Sequence, residues 1–188
     1  MYLYTISDTH YAIYLEDACE DVYIVEPIIL YDYKPNGELV DKDTKEIFAY
    51  YPLKNEVDCR ALFLQAWADG KRIALPRTKE ENQMDFFYID SLNELEEGAF
   101  HVMEPVRGSE KADPLQQPVI VPGSVFGRDG SRYGYGKGYY ARFFAKNPKL
   151  KRYAVCYANQ LEESLVTDIY DVEMHEIYTE TEVIRKGV

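Results

Sequence analysis

Short apolar runs broken by turn residues, with two stretches of helical spacing among them, set the pattern of this chain. Val119, Ile120 and Val121 form one such run, bounded by Pro122 and Gly123, and read as a buried strand ending in a turn. Tyr139, Tyr140, Phe143 and Phe144 recur at helical spacing after Gly138 and stop before Asn147-Pro148. Val57, Ala61, Leu64 and Trp67 or Ala68 predict a second helix over 56–69, with Gly70 as the cap beyond its end. Further strands are predicted at 71–75, closed by Pro76, and at 86–89, 99–102, 153–157 and 182–184. Residues 161–166 read as a short helix or turn, and 113–117 as a loop. Strands alternating with helices predict an α/β domain with a mainly parallel sheet, which binds ligands at the C-terminal ends of its strands.

Residues 1–46 break the pattern. Segments 22–25 and 27–30 look extended, and Pro35-Asn36-Gly37 predicts a turn, so that 31–40 could close as a hairpin. Thirteen Asp and Glu stand against five Lys and Arg over residues 1–60, which concentrates most of the chain's net charge of −12 there. That balance argues against nucleic acid or an acidic membrane surface as a partner, and any anionic ligand needs a local basic cluster. A chain of 188 residues with 46% apolar composition supports one core, so a single domain over 1–188 is expected. No apolar run is long enough to span a membrane, and the N-terminus lacks a signal peptide's pattern. Cys19, Cys59 and Cys156 are odd in number and widely separated, which suits a reducing cytoplasm. His10, His101 and His175 are scattered and suggest no metal triad.

The candidate chemistry lies in 119–144. Between the strand and the helix the loop carries Gly127, Gly130, Gly134, Gly136 and Gly138, with Arg128, Arg132 and Lys137 among them. Glycines let backbone N–H groups approach phosphate oxygens, and a helix N-terminus adds about 0.3–1 kcal/mol toward an anion. The cations would then supply much of the affinity. The spacing fits neither a Walker A loop nor the dinucleotide fingerprint. A glycine-rich surface turn with solvated charges has the same composition, and the residues by themselves leave both readings open.

The run PGSVFGRDGSRYGYGKGYYARFF closely resembles the signature of the 5-formyltetrahydrofolate cyclo-ligase (5,10-methenyltetrahydrofolate synthetase) family. Supporting pieces lie in order on both sides: Tyr51-Pro52-Leu53 with Glu56-Val57-Asp58, the run Gly70 to Pro76, Met84-Asp85-Phe86 and Glu104-Pro105 before it, Tyr153-Ala154-Val155 and His175-Glu176 after it. The resemblance spans roughly 47–184 and leaves 1–46 as an atypical acidic, tyrosine-rich segment. It implies a three-layer α/β/α domain and an ATP- and Mg²⁺-dependent cyclisation of 5-formyltetrahydrofolate. It implies that Arg132 and Lys137 serve catalysis, and that Arg132, Gly134, Tyr135, Gly136, Lys137, Gly138, Tyr139 and Arg142 hold the nucleotide. Tyr51, Glu56, Met84 and Phe86 would then hold the folate. Two positions depart from the pattern: Gly127 and Ala141 stand where the family has aspartate, and Asp129 is the nearest carboxylate that could serve Mg²⁺. The family's N-terminal lysine has no counterpart, since the first Lys or Arg is Lys34. These departures leave two alternatives: a non-catalytic relative that binds a folate or phosphorylated metabolite, or a protein whose acidic N-terminus binds a partner chain.

Overall fold

The computed structural model describes residues 4–7, 10–12 and 44–186. The extended runs and hairpin expected within 22–40, and Cys19, lie outside the described residues. Near the N-terminus, β1 (Tyr4–Ser7) and β2 (His10–Ala12) pair antiparallel.

The main sheet begins with β3 (Glu46–Phe48), followed by α1 (Arg60–Ala68), β4 (Arg72–Lys79) and β5 (Gln83–Ile89). A hairpin of β6 (Leu95–Glu97) and β7 (Met103–Pro105) comes next, then β8 (Pro118–Val121). Strands β9 (Val125–Gly127) and β10 (Arg132–Tyr133) lead into α2 (Tyr139–Lys146). The chain finishes with β11 (Lys151–Val155), β12 (Leu161–Glu162), β13 (Glu176–Tyr178) and β14 (Val183–Arg185).

Seven of these strands form one sheet in the order β14-β13-β11-β8-β3-β4-β5. Its five inner strands run parallel, and the edge strands β14 and β5 are antiparallel to their neighbours. Side chains along these strands alternate between the two faces, as a two-residue period requires. Ile47, Ile73, Leu75, Ile120, Tyr153, Val155 and Tyr178 join the cluster under α1, which supplies Leu62, Phe63 and Ala66. Phe48, Ala74, Val119, Val121, Ala154 and Ile177 join the cluster under α2, which supplies Phe143 and Phe144. This is the expected three-layer α/β/α architecture with a mainly parallel sheet.

Several boundaries differ from the sequence reading. Helix α1 starts at Arg60, whose N–H is received by Asp58 Oδ1 at 2.9 Å, and its inner face is Leu62, Phe63 and Ala66 while Leu64 is exposed. Strand β4 does not stop at Pro76 but runs through it. Beyond Ala74 it pairs only with β5, so the proline's missing N–H falls where β3 has already ended. Residues 99–101 are not a strand but the 3₁₀ turn of the β6–β7 hairpin, with Phe100 and His101 both left-handed (φ 59° and 60°). The stretch 161–166, expected as a short helix or turn, opens with the short strand β12 and continues as irregular chain.

Candidate functional site

Strand β3 is followed in sequence by β4 on one side, while β8 lies on its other side and leads toward β11 and β13. The order therefore reverses between β3 and β8. In an open α/β sheet the crevice beyond the strand C-termini at such a point is where ligands bind. The segments leaving those two ends carry Tyr51 and Glu56 on one side and the glycine loop on the other, whereas Met84 and Phe86 lie on β5.

After β3 the chain turns through Tyr50 to Glu56. The Tyr50 hydroxyl donates to Val57 O at 2.8 Å, which fixes the turn. Glu56 is only 8% exposed. Its Oε2 accepts the Leu53 N–H at 2.7 Å and its Oε1 accepts the Tyr135 hydroxyl at 3.0 Å. Burial raises the Glu56 pKa, opposed by those two hydrogen bonds and by the charge of Arg132. It lies outside α1, whose first turn carries no acidic residue.

After β8 the chain enters the β9–β10 hairpin, which pairs Phe126 with Arg132 and Val125 with Tyr133. Its tip closes through Gly127 N–H to Ser131 O at 2.8 Å and Gly130 N–H to Gly127 O at 2.9 Å. Asp129 Oδ1 receives the Ser131 N–H at 3.0 Å and the Ser131 hydroxyl, and Ser131 Oγ accepts from Leu165 N–H at 3.1 Å. The Asp129 carboxylate is thus engaged within its own turn.

Arg132 leaves this hairpin half-buried. Its Nε donates to Pro122 O at 2.6 Å, and its guanidinium carbon lies 5.1 Å from the Tyr140 ring centroid. Desolvation lowers its pKa, partly offset by Tyr140, Glu56, Tyr135 and Asp171. The guanidinium packs over Gly134, where a Cβ would come within 2.9 Å of Nη2. Gly136 and Gly138 are left-handed (φ 79° and 70°), which only glycine adopts freely. Gly138 is the N-cap of α2 and offers no side-chain acceptor, so the amides of the first turn lack partners within the helix.

The remaining loop cations point elsewhere. Arg142 Nη1 donates to Lys137 O at 2.6 Å, which folds its side chain back over Gly138. Lys137 is exposed, with Nζ 5.9 Å from the Phe100 ring centroid at the tip of the β6–β7 hairpin. That hairpin is held on β4 by Glu104, whose Oε1 accepts the Thr78 N–H at 3.1 Å and the Thr78 hydroxyl at 2.7 Å.

Of the predicted residues, Tyr135 is hydrogen-bonded to Glu56, and Arg132 lies over the Tyr140 ring with its charge felt at Glu56. Tyr139 is half-buried beside Tyr140 against the α2-side cluster, and Tyr51 packs against the α1-side cluster. Met84 and Phe86 are buried beneath α2, where the Phe86 ring stacks 4.7 Å from Phe48 and lies 4.9 Å from Phe143. Sequence reasoning missed Tyr50, the Pro122 carbonyl and Phe100. The apolar run Ile47-Phe48-Ala49 ahead of Tyr50 was a signal for the first, and Gly98, two residues before Phe100, was a signal of a turn for the last. Among the described residues no group of three or more His, Cys, Asp or Glu could hold a metal ion. No described helix is long and apolar enough to cross a membrane.

A mainly parallel sheet with helices on both faces, and a buried carboxylate facing a glycine-rich, cation-bearing loop near its switch point, places the chain among the open α/β proteins. The 5-formyltetrahydrofolate cyclo-ligase family model matches residues 40–180, and the chain belongs to that family. The family is one of ATP-dependent ligases in folate metabolism. The chain is 24% identical over 152 residues to the 5-formyltetrahydrofolate cyclo-ligase of Mus musculus, covering 74% of this chain and 75% of the relative. It is 25% identical over 142 residues to the enzyme of the same name from Haemophilus influenzae, covering 72% and 76%. Among solved structures, the 5,10-methenyltetrahydrofolate synthetase of Aquifex aeolicus superposes with a TM-score of 0.66 at 35% identity, covering 77% of this chain and 73% of that one.

Proposed function

We propose that this chain cyclises 5-formyltetrahydrofolate to 5,10-methenyltetrahydrofolate at the expense of ATP. The observation that supports this most is the meeting of a buried carboxylate, Glu56, with the 134–138 loop through Tyr135. One half of that arrangement suits the N–H donors of a pterin ring, and the other suits phosphate oxygens. In the reaction the formyl oxygen attacks the γ-phosphorus and ADP leaves. The N10 amine then adds to the activated formyl carbon and loses its proton, and the C–O bond breaks to release phosphate.

In this reading Arg132 and the first-turn amides of α2 hold the phosphates, Lys137 and Arg142 add charge at the loop, and Tyr139 flanks it. Glu56 orients the pterin, with Tyr51 beside it and Met84 and Phe86 in the layer beneath. The protein's part is positioning and charge neutralisation, which phosphoryl transfer chiefly needs. No set of carboxylates is gathered here to hold a magnesium ion, since Ala141 and Gly127 offer no side-chain oxygen and Asp129 Oδ1 is bonded to Ser131. Magnesium belongs here as part of the MgATP substrate, its shell filled by water and phosphate oxygens. We further infer that the chain works as a single domain with 47–184 as its core, and that turnover is slow for want of carboxylates at positions 127 and 141.

The test is the absorbance rise of the methenyl product from 5-formyltetrahydrofolate and MgATP. Wild type should turn over, and Arg132→Ala should lose about 10²–10³ in rate, the usual effect of removing a donor from developing charge. Wild-type protein that binds folate but never turns over would replace this reading with that of a binding protein.

A further inference from the structure

The Tyr135–Glu56 hydrogen bond is the one direct side-chain link, among the described residues, between the glycine loop and the turn after β3. Tyr135 is 57% exposed and stands between Gly134 and Gly136, whereas its acceptor is almost fully buried. Glycine on both sides leaves the backbone at 135 few steric restraints. What restrains the side chain is its tether to Glu56, together with Arg132 packed over Gly134.

The acceptor has capacity to spare. An ionised carboxylate offers about four lone-pair sites. Leu53 N–H takes one on Oε2 and the Tyr135 hydroxyl takes one on Oε1, which leaves one site on each oxygen. That remainder matches a pair of parallel N–H donors from a single ligand, so a ligand can bind Glu56 without expelling Tyr135.

We propose that Tyr135 is a positioning residue that couples the two halves of the site, so that an occupied 134–138 loop and an occupied Glu56 strengthen each other. This rests on the cyclo-ligase reading of the same site. An anion that orders the loop holds Tyr135 over Glu56 and thereby completes the wall of the neighbouring subsite. A ligand fixed on Glu56 holds Tyr135, and with it the amides of Gly134 and Gly136, in place for the anion. The coupling is reciprocal by thermodynamic necessity.

Four dissociation constants test it: 5-formyltetrahydrofolate alone and with saturating Mg²⁺–adenylyl-imidodiphosphate, each for wild type and Tyr135→Phe, by calorimetry. Wild type should bind the folate about fivefold or more tightly when the nucleotide analogue is present, within the usual range of such couplings. Tyr135→Phe keeps the ring and loses only the hydroxyl. Its coupling should fall below about twofold, with an unchanged melting temperature showing that the fold is intact. A wild type that binds both ligands independently overturns the proposal, as does a Tyr135→Phe variant that keeps wild-type coupling. A wild type that binds neither ligand removes the cyclo-ligase reading, and the coupling with it.

Discussion

One guanidinium ties the end of β8 to the first turn of α2. Arg132 donates through Nε to Pro122 O at 2.6 Å and places its central carbon 5.1 Å from the Tyr140 ring centroid. The loop between them is therefore held at both ends by the residue that would contact the phosphates. An arginine does this where a lysine cannot, because its planar fork can donate in one direction and stack in another.

Tyr140 itself carries an unmet requirement. Its hydroxyl is buried and has no hydrogen-bond partner among the described residues. A buried unsatisfied polar group costs about 1–3 kcal/mol. Tyr140→Phe, which removes that group, should therefore be more stable than wild type without ligand by about 1 kcal/mol or more, in urea denaturation. A loss of stability would mean that the hydroxyl has a partner in solution.

Glu56→Gln should change how stability depends on pH. Burial raises the Glu56 pKa in the folded protein, so the fold favours the protonated form. That contribution is fully present below the ordinary carboxyl pKa of about 4.3 and is lost as pH rises through the raised value. Glutamine mimics the protonated form at every pH. The melting temperature of the variant relative to wild type should climb as pH rises through that window and then level off. A flat difference would show that Glu56 ionises as freely folded as unfolded.

Installing the family's aspartate at 127 should destabilise the protein rather than repair it. A Cβ there would overlap Ser131 Oγ and Asp129 Oδ1, with the Leu165 amide 3.3 Å away. Ser131 Oγ cannot retreat without losing Leu165 N–H. Gly127→Asp should cost about 1–3 kcal/mol, as overpacking commonly does, measured by chemical denaturation. A neutral result would mean that the turn rearranges readily and that a carboxylate is tolerated.

Ala141→Asp should behave differently. Ala141 lies in the first turn of α2, which has no acidic residue. An aspartate there complements the helix dipole by about 0.3–1 kcal/mol. On the slow-turnover reading proposed above, the variant should melt slightly higher and need less Mg²⁺, and its rate should rise only in part, since position 127 still lacks a carboxylate. Full recovery from this change alone would locate the whole defect at position 141.

The parts of the fold that were legible in the sequence are those in which local pattern and tertiary role agree. Val119, Ile120 and Val121 are apolar because both faces of β8 are covered, and Gly138 precedes a helix whose spacing is unambiguous. The misread parts are those where context overrides the pattern. The apolar look of Phe100 suggested a strand, but it sits 61% exposed on a left-handed turn whose position is set by the Glu104–Thr78 contact elsewhere. Pro76 reads as a strand terminator unless one knows that β3 ends beside Ala74. At the site, the loop residues were legible because they are contiguous. The bond from Tyr135 to Glu56 joins distant positions, and no spacing rule announces it.

The sheet order also bears on when the site comes into being. Strands β3, β4 and β5 are neighbours both in sequence and in space, so their pairing closes only short loops. The contact of Phe48 with Val119 closes a far longer one, across the whole of α1, β4, β5 and the β6–β7 hairpin. Contacts of such separation form slowly, because chain entropy is lost before they reward it. Glu56 and Arg132 are not brought together until that closure, so, on the proposed reading of the site, binding competence should appear in the last phase of folding rather than grow with secondary structure.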